Sequence, residues 1–141
     1  MPYRFFKDIA IADVAFEATG KTLEEVLESA GLAVTNTMVK DLGSVKRKVK
    51  KRISVKSDSE EMLLFNFLQE IVFLKDSKKL LFSKFAVRVK RKPLHLSCVA
   101  EGEKLSMKKH ELLVDVKAVT FHRFEVEETK AGWRAQVILD V

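Results

Sequence analysis

The chain has 141 residues, 47% of them hydrophobic and 33% charged, with only 5 Gly and 2 Pro, which excludes a disordered, collagen-like or low-complexity protein. At this length roughly two-thirds of the unfolded surface can be buried, enough for one domain over residues 1–141 with no staple, and the lone Cys98 excludes both an intrachain disulfide and a multi-cysteine zinc site. The net charge of +6 permits a polyanionic partner without requiring one.

The opening MPYRFFKDIA lacks the basic flank and apolar run of a signal peptide. No window reaches the ~20 apolar residues that span a bilayer, so a soluble, cytoplasmic protein is expected. Arg4 to Lys7 and Val14 to Ala18 read as short strands. Thr22-Leu23-Glu24-Glu25 is a capping box in which Thr22 accepts from the amide of Glu25 and Glu25 reaches back. Leu23, Val26, Leu27, Ala30, Val34 and Met38 then recur at helical spacing and predict a helix over 22–39, with Gly31 inside it at a cost of ~1 kcal/mol relative to Ala.

After the breaker Asp41-Leu42-Gly43-Ser44, residues 45–56 read as a strand. Ser57, able to pair with Glu60, predicts the next helix start. Residues 61–74 are apolar nearly all round, from Met62 to Leu74, so more than one face is expected to be buried, with a face left over for docking. Phe85, Val87 and Val89 alternate with Ala86, Arg88 and Lys90. Lys92-Pro93 turns the chain, and Leu94, Leu96 and Cys98 run back. Residues 104–111 are polar and basic. A strand follows through His122, Phe124 and Val126, and Lys130-Ala131-Gly132 turns it into a last strand. There Trp133, Ala135, Val137 and Leu139 share one face; Asp140 has the parity of Arg134 and Gln136. Together these elements predict an α+β fold, mostly antiparallel β-sheet, with two main helices packed on one sheet.

Chemistry-bearing residues are sparse. The cations from Lys46 to Arg52 could track RNA phosphates, but no aromatics are interleaved for base stacking, and a solvated edge strand explains them as well. His95, His110 and His122 lack zinc-ligand spacing, and the parity of His122 with Phe124 and Val126 suggests a hydrogen-bonded core histidine. Cys98 reads as a small core residue. No phosphate-binding glycine loop and no nucleophile elbow is present. Asp13 and Asp140 would form a hard-oxygen site for Ca²⁺, Mg²⁺ or Mn²⁺ if the last strand lay beside the second, with the chain-terminal carboxylate of Val141 as a third ligand. Spacing alone leaves them equally well read as two solvated loop carboxylates.

Four blocks resemble the archease family in order and length. They are Ala12-Asp13-Val14-Ala15-Phe16 with Gly20 and Thr22-Leu23-Glu24-Glu25; Gly102-Glu103-Lys104-Leu105 with Lys109-His110-Glu111; Asp115 to His122; and Gln136 to Val141. The resemblance implies a non-enzymatic protein cofactor of the RtcB-type RNA ligase in tRNA splicing. Such a cofactor promotes guanylylation of the ligase and multiple turnover. The resemblance also implies a divalent-metal site, calcium first, held by Asp13, Asp140 and Val141. Lys104, Lys108, Lys109 and Lys117 are candidate contacts to ligase or nucleotide. Two positions depart from the family pattern. Ala10 stands where the family has histidine, and Phe121 where tyrosine is common. The basic run of Lys46–Arg52 lies on a strand that commonly carries an acidic residue. Alternative readings are a basic RNA-binding module acting through Lys46–Arg52, a chaperone-like modulator of a tRNA cytosine-5 methyltransferase, and a metal-dependent hydrolase using Asp13 and Asp140.

Overall fold

The computed structural model describes residues 2–6 and 13–141. Its elements in chain order are β1 (Tyr3–Phe6), β2 (Asp13–Gly20), α1 (Leu23–Met38), β3 (Val49–Lys56), α2 (Glu60–Lys78), β4 (Leu80–Arg91), β5 (Leu94–Lys104), β6 (Ala118–Thr129) and β7 (Gly132–Asp140). Lys7 of the first predicted strand and the departure at Ala10 lie outside the described residues.

The strands divide between two antiparallel sheets rather than forming the single sheet expected. One has the order β1-β2-β7-β6 and the other β3-β5-β4. The helices supply the reason. Along α1, Leu23, Val26, Leu27, Ala30, Ala33, Val34 and Met38 are all buried, and on α2 so are Leu63, Leu64, Phe67, Leu68, Ile71 and Val72. Helices this apolar need cover on more than one side, which one sheet cannot give. Both touch strands of both sheets, and the core lies between the layers. Of the α2 face expected to remain for docking, Phe73 is the exposed part, whereas Phe65 stacks on Phe121 with ring centroids 3.9 Å apart.

The Thr22–Glu25 capping box forms as the sequence dictates. The Glu25 amide donates to Thr22 Oγ1 at 3.2 Å, and the Thr22 amide donates to Glu25 Oε2 at 3.3 Å. Gly31 has a packing reason, since a Cβ there would meet the Phe85 ring at 2.8 Å. Ser57 does not cap α2. Its amide donates to the Leu94 carbonyl at 3.3 Å, extending the β3–β5 ladder past Lys56, and the helix starts beyond it. Ser59 takes the role, accepting from the Met62 amide at 3.2 Å. Residues 42–44 form a 3₁₀ turn, so β3 begins at Val49 rather than at Val45. α2 runs one turn past Leu74 because Lys75 is buried and anchored.

Candidate metal centre

β2 and β7 lie side by side, and their register places Asp13 directly opposite Asp140. In an antiparallel pair directly opposed residues point to the same face, with Cβ atoms about 5 Å apart. The strands therefore bring together the two carboxylates that spacing alone could not connect. On its other side Asp140 is opposed by Ala118 of β6, and its carbonyl accepts the Lys117 amide at 2.8 Å, which fixes the strand end. Both aspartates are half-buried, as is Val141.

The alternation of β7 is less clean than predicted. Ala135, Val137 and Leu139 are buried, but Ile138, on the parity of Asp140, is also only 1% exposed, opposite the buried Ala15. Asp13 and Asp140 thus stand at the rim of a second, small apolar patch on the outer face of the sheet.

Acidic residues elsewhere on this face are neutralised. Glu17 accepts from Arg134 Nε at 2.6 Å and from Arg4 Nε at 3.1 Å, while Arg134 also reaches Glu125 and Glu127 at 3.0 and 3.3 Å. Burial pushes the Glu17 carboxyl up, but its bonds to Arg134 and Arg4 outweigh that and hold it below its usual value. No such cation pairs with Asp13 or Asp140 among the described residues. Directly opposed like charges are unfavourable unless a counter-charge sits between them. Among the described residues no third His, Cys, Asp or Glu side chain joins the pair, and Val141, the third ligand implied by the family resemblance, is the half-buried residue next to Asp140. Such a donor set is all hard oxygen and suits Ca²⁺, Mg²⁺ or Mn²⁺ rather than zinc.

The four candidate lysines are dispersed. Lys104 ends β5 and Lys108 is exposed in the turn that follows. Lys109 is committed internally, its Nζ lying 2.7 Å from Glu103 Oε1. Lys117 alone of the four adjoins the aspartate pair, its main-chain N–H donating a hydrogen bond to the Asp140 carbonyl.

The histidine prediction fails at His122, which is exposed, while His110 is 3% exposed. The β6–β7 register shifts between Thr120 and Glu125, and Arg123 adopts φ 50°, so strict alternation does not carry across His122. His110 instead belongs to a buried polar cluster that spacing did not reveal. Its Nδ1 accepts the Ser106 amide at 3.0 Å, leaving Nε2–H to donate to Glu103 Oε2 at 3.0 Å. Glu103 also accepts the Lys46 amide at 2.8 Å. Burial alone would raise the Glu103 carboxyl, but Lys109, the Lys46 amide and His110 together pull it down to about 2. This cluster ties the segment before β3 to the end of β5 and the turn after it. Lys75, 4% exposed, does the same from α2, donating to Asp115 Oδ1 at 2.5 Å and to the Val116 carbonyl at 2.8 Å. The only sequence sign of either anchor was the membership of Glu103, Lys109, His110 and Asp115 in the family-like blocks.

Comparison with known proteins matches residues 3–141 to the model of the Archease protein family (MTH1598/TM1083). "Protein archease" of Methanosarcina acetivorans is 35% identical over 133 residues, covering 92% of this chain and 90% of that protein. The solution structure of Protein 1598 from Methanobacterium thermoautotrophicum superposes with a TM-score of 0.86 at 38% identity, covering 99% of each chain. A Thermotoga maritima crystal structure, described as an archease, possible chaperone, shares the fold with a TM-score of 0.63 at 20% identity, covering 98% of each chain.

Proposed function

The chain belongs to the archease family, and from that premise we propose that it activates an RtcB-type RNA ligase in tRNA splicing through a divalent cation held by Asp13, Asp140 and Val141. The observation that carries the reading is that Asp13 and Asp140 face each other with no cation paired to either among the described residues, on a sheet face where Glu17, Glu125 and Glu127 are paired with arginine. In this reading the side-chain carboxylates of Asp13 and Asp140 and a main-chain oxygen of Val141 would hold the cation at the end of β7. Guanylylation of a ligase is phosphoryl transfer, which depends on positioning and on neutralising phosphate charge, and a bound cation would supply that neutralisation. The residues of this chain do the holding: β2 and β7 fix the two aspartates in register, and the Lys117–Asp140 main-chain bond fixes the strand end.

A protein cofactor also needs a docking surface. An apolar groove of about 240 Å³, lined by Phe5, Val14, Asn36, Thr37, Leu113 and Val114, lies on the opposite face of β2 from Asp13. Leu113 and Val114 are 52% and 44% exposed and share this groove with the exposed Phe5, so the apolar surface is contiguous rather than scattered. The groove supports a protein partner, which in this reading is the ligase.

The deciding measurement is ligated RNA per ligase molecule, with and without this protein, under excess substrate. Added protein should raise the number of turnovers while catalysing no nucleotidyl transfer or ligation alone. Equal turnover in both samples, or ligation by the isolated chain, would overturn the proposal.

A further inference from the structure

The three-stranded sheet, which is not the one that holds the aspartate pair, carries its own chemistry. Its register shows which side chains share the outer face. Lys50 of β3, Glu101 of β5 and Lys84 of β4 form one row; Arg52, Val99 and Ala86 the next; Ser54, Ser97 and Arg88 the third; Lys56, His95 and Lys90 the fourth. All six cations in these rows are exposed. Glu101 is the only carboxylate in the four rows, and it lies 3.8 Å from Lys50. Of the basic run singled out in the sequence, Lys50 and Arg52 reach this face, whereas Lys51 has the inner parity of Ile53. Lys56, Lys84, Arg88 and Lys90 are brought there by pairing.

We infer that the outer face of the β3-β5-β4 sheet binds the phosphate backbone of double-stranded RNA. The six cations stand in two columns, Lys50, Arg52 and Lys56 on β3 and Lys84, Arg88 and Lys90 on β4, about 9.6 Å apart on either side of β5 and spaced about 6.6 Å or twice that along each strand, so each column can follow a phosphate backbone. The four rows contain no Phe, Tyr or Trp to stack unpaired bases, which disfavours single strands. Duplex RNA is instead held by its phosphates and 2′-hydroxyls. Ser54, Ser97 and His95 sit among the cations, with Ser54 Oγ 2.7 Å from His95 Nε2, and hydroxyl and imidazole groups can both give and take hydrogen bonds with a 2′-hydroxyl. The choice of RNA over other polyanions rests on the ligase reading; the binding itself does not need the ligase.

The test uses the isolated full chain and a fluorescent 20-base-pair RNA duplex, read by anisotropy. Six phosphate contacts predict an affinity loss of about a thousandfold between 50 and 200 mM salt. The triple variant Lys56→Glu/Arg88→Glu/Lys90→Glu should bind at least tenfold more weakly at 50 mM salt, with a shallower salt dependence. If charge reversal unfolds the sheet, Lys56→Gln/Arg88→Gln/Lys90→Gln replaces it, judged by an unchanged thermal melt. Unchanged RNA affinity in the folded variant would overturn the inference. So would equal affinity for a DNA duplex of the same length, or tighter binding to polyglutamate. Failure here with intact ligase activation leaves the metal-site reading standing, and RNA binding without activation leaves this one.

Discussion

Asp13 and Asp140 oppose each other across the β2–β7 ladder, two acids facing where Glu17 on the same sheet face has Arg134 and Arg4. Opposed like charges cost stability when bare, and in the proposed reading a bound cation would offset that cost. Asp140→Asn keeps the shape and removes one charge. In chelator its thermal stability should stay within about 0.5 kcal/mol of the parent or rise slightly. With calcium at about a hundred times its dissociation constant the parent should gain about 2.7 kcal/mol and the variant almost none. Paired thermal melts with calorimetric calcium titration check this. An equal gain in both proteins would remove Asp140 from the site.

Glu103 sets an acid limit on stability. Its folded carboxyl is held at about 2, below the ordinary 4.5. A depressed carboxyl contributes stability that is complete above the ordinary value and is lost as the pH falls from about 4.5 toward about 2. Urea melts of the parent across that window should show a falling midpoint, and Glu103→Gln should flatten the fall. At neutral pH the same variant should cost roughly 1–3 kcal/mol, because Lys109, the Lys46 amide and His110 lose a charged acceptor.

Gly102 admits no side chain. A Cβ there would overlap the Leu81 carbonyl oxygen, at the point where the β4–β5 register shifts between Phe82 and Lys84. The obstacle is main chain and cannot rotate away. Gly102→Ala should therefore destabilise by about 3 kcal/mol or more, above the usual range for overpacking. Chemical denaturation measures it; a loss below 1 kcal/mol would mean the strand pair can spread.

Cys98 should be inert in the native protein. It is 3% exposed, and burial, aided by the charge of Glu28, pushes its thiol up to about 12. Almost no thiolate exists at neutral pH, and the thiolate is the reactive form. A thiol-specific chromogenic reagent should react only at the rate of unfolding, and fully in denaturant. Rapid labelling of the folded chain would contradict the packing of β5 on the core.

What the sequence determined by itself is what is decided within a few residues. The Thr22–Glu25 cap, the periodicity of α1 and the Lys130-Ala131-Gly132 turn depend on neighbours in the chain, so their signals are local and complete. The sequence also carried the family likeness, since the four blocks stand in order along it. The tertiary structure decided whatever depends on register. The exposure of His122 followed from the irregularity between Thr120 and Glu125, where the pairing shifts by an odd number of residues and breaks the alternation, and the burial of His110 followed from its bonds to Ser106 and Glu103. The division into two sheets followed from helices that need cover on both sides. The meeting of Asp13 with Asp140, and the gathering of Lys56, Lys84, Arg88 and Lys90 beside Lys50 and Arg52, followed from strand pairings between segments remote in the chain. Such pairings are selected by the global packing of the core, and no local pattern encodes them.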